Sequence, residues 1–225
     1  MHTHIPAPEG LDRLCARYVE AQLAGDRREA LRIVLDEGLA RGVAVQELQA
    51  RVIQAAQREI GRLWQVNRIS IAQEHMATAI SHVVMSRLFD EARSDPRLGK
   101  KIVVACVEGE HHEFPARIVA DFLDLGGFEV RYLGANVPTD DLMRLLRDED
   151  ADLLALSVTM SFNVPSLRQA ITRVRIEHPR LPILVGGHAL EWEPDLARDF
   201  RVDTCDADAR CLVDTARFLL DRRAA

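Results

Sequence analysis

The chain has 225 residues, 48% of them hydrophobic and 28% charged, which is enough for one large domain or two small ones with separate cores. A net charge of −6 and a pI near 5.8 exclude the basic excess that marks a nucleic-acid surface. No run reaches membrane-spanning length and the start "MHTHIPAPEG" has no apolar signal region, so a cytoplasmic protein without membrane or direct nucleic-acid partners is expected. The four cysteines, Cys15, Cys106, Cys205 and Cys211, include no Cys-x-x-Cys pair, which argues against a zinc ribbon or a disulfide framework.

Residues 1–9 read as an N-terminal tail. From 10 to 93 the chain is proline-free and apolar residues recur at spacings of three and four. Leu31, Val34 and Leu35 form one stripe; Ile53, Ala56, Ile60 and Leu63 form a second; Ile71, Ala79, Val83 and Leu88 form a third. Breaks at Gly25-Asp26, Gly42 and Asn67-Arg68 divide the segment into four helices of bundle length. Ser70 followed by Gln73 has the spacing of a capping box at the start of the last helix. The polar stretch 94–100 then reads as a linker.

Beyond it, over 101–225, the period changes. "KIVVACV" (101–107), "FEVRYLG" (128–134), "DLLALSV" (152–158) and "PILVGG" (182–187) are short apolar runs, each followed by a helical pattern, and "RVDTC" reads as a short fifth strand. Alternating strands and helices predict a parallel sheet covered on both faces, with ligands held at the carboxyl ends of its strands. The fold class expected is therefore an N-terminal four-helix bundle followed by a flavodoxin-like, Rossmann-type domain with a five-stranded parallel sheet.

Three unusual loops share that edge: "EGEHHEFPAR" (108–117) after the first strand, "SVTM" at the third, and "GGHAL" at the fourth. A histidine there could be a metal ligand, a general base or a solvated side chain. Glu110, two residues before His112, has the separation at which a carboxylate takes one imidazole N–H and leaves the other nitrogen to a metal. Zinc is the weaker reading, because adjacent histidines seldom reach one tetrahedral ion. Ser157 and Thr159 offer strand-end hydroxyls, or simply satisfy local backbone. Gly186-Gly187 admits a close backbone approach by a ligand or helix, or simply makes a turn.

The ordered set "EGEHHEFP…SVT…GG" resembles the cobalamin-binding fingerprint: Asp-x-His-x-x-Gly, then Ser-x-Thr or Ser-x-Leu, then Gly-Gly. The spacings, 45 residues from His112 to Ser157 and 29 from Ser157 to Gly186, suit it. Glu110 stands where the fingerprint has aspartate, and Pro115 stands where it has glycine. The resemblance implies cobalt in a corrin, with His112 as its lower axial ligand in a base-off, His-on mode, Glu110 behind it and His111 a solvated neighbour. It also implies that Ser157, Thr159, Gly186 and Gly187 line a slot for the cofactor's nucleotide tail.

In the helical half, Trp64, nine intervening residues and then Glu74-His75 resemble the cap of light-sensing adenosylcobalamin proteins, the CarH-type transcription regulators. That likeness implies a bundle over the upper corrin face, with the Trp64 indole covering the adenosyl group and Glu74 accepting from its ribose hydroxyls. It implies a photoreceptor in signal transduction and transcription regulation, where light breaks the Co–C bond of adenosylcobalamin and the cap shifts. The implied protein is a binding protein and not an enzyme. The alternative is a corrinoid methyl carrier of a methyltransferase system, holding methylcobalamin or hydroxocobalamin; a detached mutase subunit is disfavoured, because no substrate barrel is present. CarH-type regulators carry an N-terminal helix-turn-helix domain, whereas this chain starts almost at its cap. Output is therefore expected through a protein partner, such as a transcription regulator or other effector, through homo-oligomer assembly, or through a domain missing from the chain. Those regulators also have a cobalt-capturing histidine after the tryptophan; here Gln65 stands, so water or His75 is the expected substitute after photolysis.

Overall fold

The computed structural model describes residues 8–192, 195–200, 202–204 and 211–224. The chain divides into two compact units, Met1–Arg93 and Ser94–Ala225. Among the described residues no helix is long and apolar enough to cross a membrane.

The first unit is built of four helical rods. The first is α1 (Pro8–Leu23). The second starts as α2 (Arg27–Arg32), widens into a π-helical stretch over Ile33–Gly38 and closes in a 3-10 turn, Leu39–Arg41. The third runs from α3 (Val45–Glu47) through π-helical Leu48–Gln54 into α4 (Ala55–Gln65). The fourth is α5 (Ile71–Asp90). The rods part at the three predicted breaks, and each break turns on a residue with positive φ: Gly25 (70°), Gly42 (88°) and Asn67 (56°). The capping box is present: Ser70 Oγ accepts from the Gln73 N–H at 3.3 Å, and Gln73 Oε1 accepts from the Ser70 N–H at 2.9 Å.

Two stripes differ from their sequence reading. In the second rod Ala30, Ile33 and Val34 take the core while Leu31 and Leu35 stay half-buried, because the π-helical turns shift the helix phase. In α5 the expected stripe splits. Leu88 is fully buried, but Ile71 and Val83 are 57% and 36% exposed and Ala79 is exposed too. The buried face is Ala77, Ile80, Ser81, Val84, Met85 and Leu88. With apolar residues on both faces, the period alone does not select the one that packs.

In the second unit β1 (Lys101–Cys106), β2 (Glu129–Tyr132), β3 (Leu153–Ser157), β4 (Ile183–Gly186) and β5 (Asp203–Thr204) form one parallel sheet in the order β2-β1-β3-β4-β5. The predicted fifth strand is present at Asp203–Thr204; Cys205 lies outside the described residues. Central strands β1 and β3 are buried almost throughout, which explains their continuous apolar runs. Val103, Ala105, Leu154, Leu156, Ile183 and Val185 face one core with α7 (Thr139–Glu149) and α8 (Val164–Glu177). Helix α6 (Phe114–Leu125) packs on β1, β2 and β3. A short α9 (Leu196–Phe200) and a terminal α10 (Leu212–Ala224) complete the unit. The segment before β1 lies along this unit: the Asp95 N–H donates to Leu125 O at 2.7 Å and the Leu98 N–H to Gly127 O at 2.9 Å. This strand order reverses between β1 and β3, so the crevice at their carboxyl ends is where the fold holds a ligand.

Gly38 closes the second rod against the third. A methyl group there would lie 2.6 Å from Leu48 Cδ2, and Leu48 is fully buried. Gly38→Ala is therefore expected to destabilise the protein by about 1–3 kcal/mol, read as a lower denaturant midpoint, with partial recovery when Leu48→Ala is added.

Candidate functional site

The turn after β1 is organised around one carboxylate. Glu110 is fully buried, and both its oxygens accept hydrogen bonds. Oε1 meets His112 Nδ1 at 2.6 Å and the His112 N–H at 2.9 Å. Oε2 accepts from the Thr159 N–H at 2.9 Å, the Met160 N–H at 2.9 Å and Asn163 Nδ2 at 3.0 Å. Burial alone would raise its pKa. The bonds from His112, Met160 and Asn163 outweigh burial and hold it at about 2. A fixed negative charge therefore spans the β1 and β3 loops on both sides of the switch point.

The paired histidines separate cleanly. The His112 side chain is 38% exposed and carries the bond to Glu110, whereas His111 is exposed and contributes its carbonyl to the Glu113 N–H at 3.0 Å. With Nδ1–H donated to a carboxylate, the lone pair of the ring sits on Nε2. Pro115 occupies the first turn of α6, where a missing N–H costs nothing.

Two asparagines that the motif reading did not select clasp the same turn. Asn136 Oδ1 accepts from the Gly109 N–H at 2.8 Å, and the Asn136 N–H donates to Glu110 O at 2.8 Å. From the other side Asn163 Nδ2 reaches Gly109 O at 3.3 Å as well as Glu110. Gly109 has φ of 85°, and a side chain there would press on Asn163 Oδ1 at 3.0 Å. A signal was present in the sequence: Asn-Val-Pro occurs twice, at 136–138 and 163–165, immediately before α7 and at the start of α8.

Ser157 ends β3, in register with Cys106 of β1 and Gly186 of β4. Its Oγ and the Thr159 Oγ1 are buried; among the described residues Thr159 Oγ1 has no hydrogen-bond partner and Ser157 Oγ has at most the weak Cys106 thiol. Burial, with the charges of Glu110 and Glu113 behind it, pushes the Cys106 thiol up to about 12, so this floor residue stays un-ionised. Gly187 has φ of 115°, and any side chain would fall 2.0 Å from Val158 O. The glycine is thus required for the end of β4 to pack on the end of β3, and the Val158 N–H donates to Gly186 O at 3.0 Å.

The other predicted residues lie in the helical unit. Trp64 is half-buried on the last turn of α4, with Gln65 exposed beside it. Glu74, 17% exposed, meets His75 Nδ1 through Oε2 at 2.5 Å and accepts from Thr78 Oγ1 through Oε1 at 2.9 Å. Trp64 and the Glu74-His75 pair flank the connection between α4 and α5 at one end of this unit. Among the described residues no group of three or more His, Cys, Asp and Glu side chains could hold a metal ion.

Residues 100–210 and residues 14–89 each match a family described as a B12 binding domain. The HTH-type transcriptional repressor CarH of Myxococcus xanthus is 34% identical over 161 residues, 69% of this chain and 52% of the repressor. Dimethylamine corrinoid protein 3 of Methanosarcina acetivorans is 27% identical over 149 residues, 64% of this chain and 70% of that protein. The chain thus spans about half the length of the curated repressor that it matches. The structure of Methanosarcina barkeri monomethylamine corrinoid protein superposes with a TM-score of 0.74 at 17% identity, covering 91% of this chain and 97% of that one, a likeness of fold.

The depressed Glu110 carboxyl sets an acid limit. Its ordinary pKa of 4.5 falls to about 2 in the folded chain, so its stabilisation is full above pH 4.5 and is lost as pH falls from there through about 2. Acid titration of unfolding should show a steeper loss of stability over that window in the wild type than in Glu110→Gln. Asn163→Ala removes a bond to a charged acceptor and is expected to cost about 1.5–3 kcal/mol at neutral pH, measured by denaturant unfolding.

Proposed function

Since the chain belongs to the B12-binding domain family, matched in both of its units, we propose that it is a cobalamin sensor that works as a light-responsive adenosylcobalamin photoreceptor. The observation that carries the cobalamin site is the Glu110–His112 pair at the β1/β3 crevice. A corrin would bring its own ring nitrogens to cobalt, so one oriented imidazole would suffice where, among the described residues, no cluster of metal-ligating side chains gathers. His112 Nε2 would hold the cobalt. Glu110 keeps the imidazole in the ligating tautomer and makes it a stronger donor. The buried hydroxyls of Ser157 and Thr159 fit a polar ligand tail that supplies them with hydrogen-bond partners. Gly186 and Gly187 form the small-residue edge of that slot.

The helical unit supplies the argument for an adenosyl upper ligand. Glu74 is a fixed acceptor suited to ribose hydroxyls, and Trp64, half-buried on the last turn of α4, offers an indole face. Bound adenosylcobalamin supplies a Co–C bond that visible light cleaves. The residues' own task is recognition: Glu74 and Trp64 favour the state in which the adenosyl group is in place, which makes the helical unit a ligand-biased element. Output then passes to an effector protein or to assembly of copies of this chain. The methyl-carrier reading draws on one specific finding: the chain spans 70% of a dimethylamine corrinoid protein but only 52% of the repressor.

Titrating the apoprotein with adenosylcobalamin and methylcobalamin in darkness, then illuminating with green light, separates the two. A photoreceptor binds the adenosyl form in preference and changes both spectrum and assembly state on illumination. Preference for methylcobalamin, with no light-dependent change in assembly, would support the carrier instead. His112→Ala should abolish the His-on spectrum, while His111→Ala leaves it intact; retention of neither cobalamin by the wild type would refute the site.

A further inference from the structure

The helical core contains a line of polar side chains that the motifs did not include. Tyr18 and Gln22 of α1, Gln57 of α4, and Thr78 and Ser81 of α5 are linked in the interior, and the line ends at Glu74. The Ser81 hydroxyl lies 2.9 Å from the Tyr18 hydroxyl, 2.8 Å from the Gln22 amide and 2.7 Å from the Gln57 amide. The Thr78 hydroxyl lies 3.0 Å from the other end of the Gln57 amide and 2.9 Å from Glu74 Oε1.

The amide ends follow from their neighbours. Gln22 Nε2 donates to the Ala77 carbonyl at 2.9 Å and to Ser81 Oγ. Gln57 Nε2 likewise donates to Ser81 Oγ and lies 3.4 Å from the Ala77 carbonyl, which leaves Gln57 Oε1 facing the Thr78 hydroxyl. With both amides donating to it, Ser81 turns its own hydrogen to the Tyr18 hydroxyl. Thr78 Oγ1 stands between two acceptors, Gln57 Oε1 and Glu74 Oε1, and ties the carboxylate to the fixed amide.

We propose that Gln57 and Thr78 are positioning residues for Glu74: the hydrogen-bonded line Tyr18, Ser81, Gln57, Thr78 and Glu74 holds the carboxylate in place as an acceptor and so sets the preference for a cobalamin bearing a ribose diol over one bearing a methyl group. The inference rests on the reading of Glu74 as the acceptor of those hydroxyls. It adds the source of the carboxylate's alignment, which lies in the bundle interior and joins three of its four rods.

The test uses the full-length chain and dark titrations with adenosylcobalamin and methylcobalamin, read by absorbance. Thr78→Val keeps the shape and removes the hydroxyl; it should lower the adenosyl-to-methyl preference about tenfold with methylcobalamin affinity unchanged, the scale of one hydrogen bond to a charged group. Thr78→Ser should restore the preference. Gln57→Leu, which removes the acceptor that holds Thr78, should reproduce the Thr78→Val loss and serves if the valine variant does not fold. A preference within about twofold of wild type in Thr78→Val or Gln57→Leu, while Glu74→Ala loses it, overturns the proposal and leaves the reading of Glu74 standing. A preference retained in Glu74→Ala overturns both. A double-mutant cycle of Thr78→Val with Glu74→Ala in thermal unfolding of the apoprotein should give non-additive changes whatever the cofactor does, and additive ones would remove the link between the two side chains.

Discussion

One buried negative charge orders the sheet unit's loop edge. Glu110 is fully desolvated and would be costly to bury alone. Five donors from three segments of chain compensate it: two from His112, the amides of Thr159 and Met160, and the side chain of Asn163. None of these segments keeps its shape independently. The β1 turn needs Gly109 at positive φ, the β3 loop aims two consecutive N–H groups at one oxygen, and α8 begins where Asn163 can reach back. The imidazole inherits its tautomer from this arrangement. A carboxylate one methylene longer than aspartate makes it possible, because both sides of the crevice are reached from one side chain.

The helical unit repeats this logic with weaker elements. Its interior polar groups are neutral except at the end, where Thr78 joins the line to Glu74. In each unit a carboxylate is held by hydrogen bonds from neighbouring segments, Glu110 by His112, Thr159, Met160 and Asn163, and Glu74 by Thr78.

Much of the frame was legible in the sequence because local signals agreed with the tertiary outcome. The apolar runs at 101–107, 152–158 and 182–187 became strands, since parallel strands buried on both faces leave little polar interruption, and 128–134, interrupted by Glu129 and Arg131, became the edge strand β2. Ser70 and Gln73 formed their box because the interaction is wholly local. Glu110 and His112 were found through their spacing. What escaped depended on long-range partners. Asn136 and Asn163 act 27 and 53 residues away from the positions they bind. The polar line in the bundle consists of residues that an apolar-periodicity search passes over. The packed face of α5 was ambiguous, because Ile71 and Val83 are as apolar as Ile80 and Val84.

The π-helical stretches have a consequence for how this bundle tolerates length changes. A π turn holds one more residue than an α turn, so each stretch, Ile33–Gly38 and Leu48–Gln54, amounts to an inserted residue absorbed without breaking its rod. Everything before the wide turn is rotated relative to everything after it. Shortening either stretch by one residue would give a more regular helix and a worse protein: downstream of Leu48–Gln54 the lost residue would turn Gln57 away from Ser81 and carry Trp64 off its present face. Irregular geometry in these two rods is thus a phase setting, and an alignment that closes such gaps for the sake of a smooth helix would misassign the residues that follow.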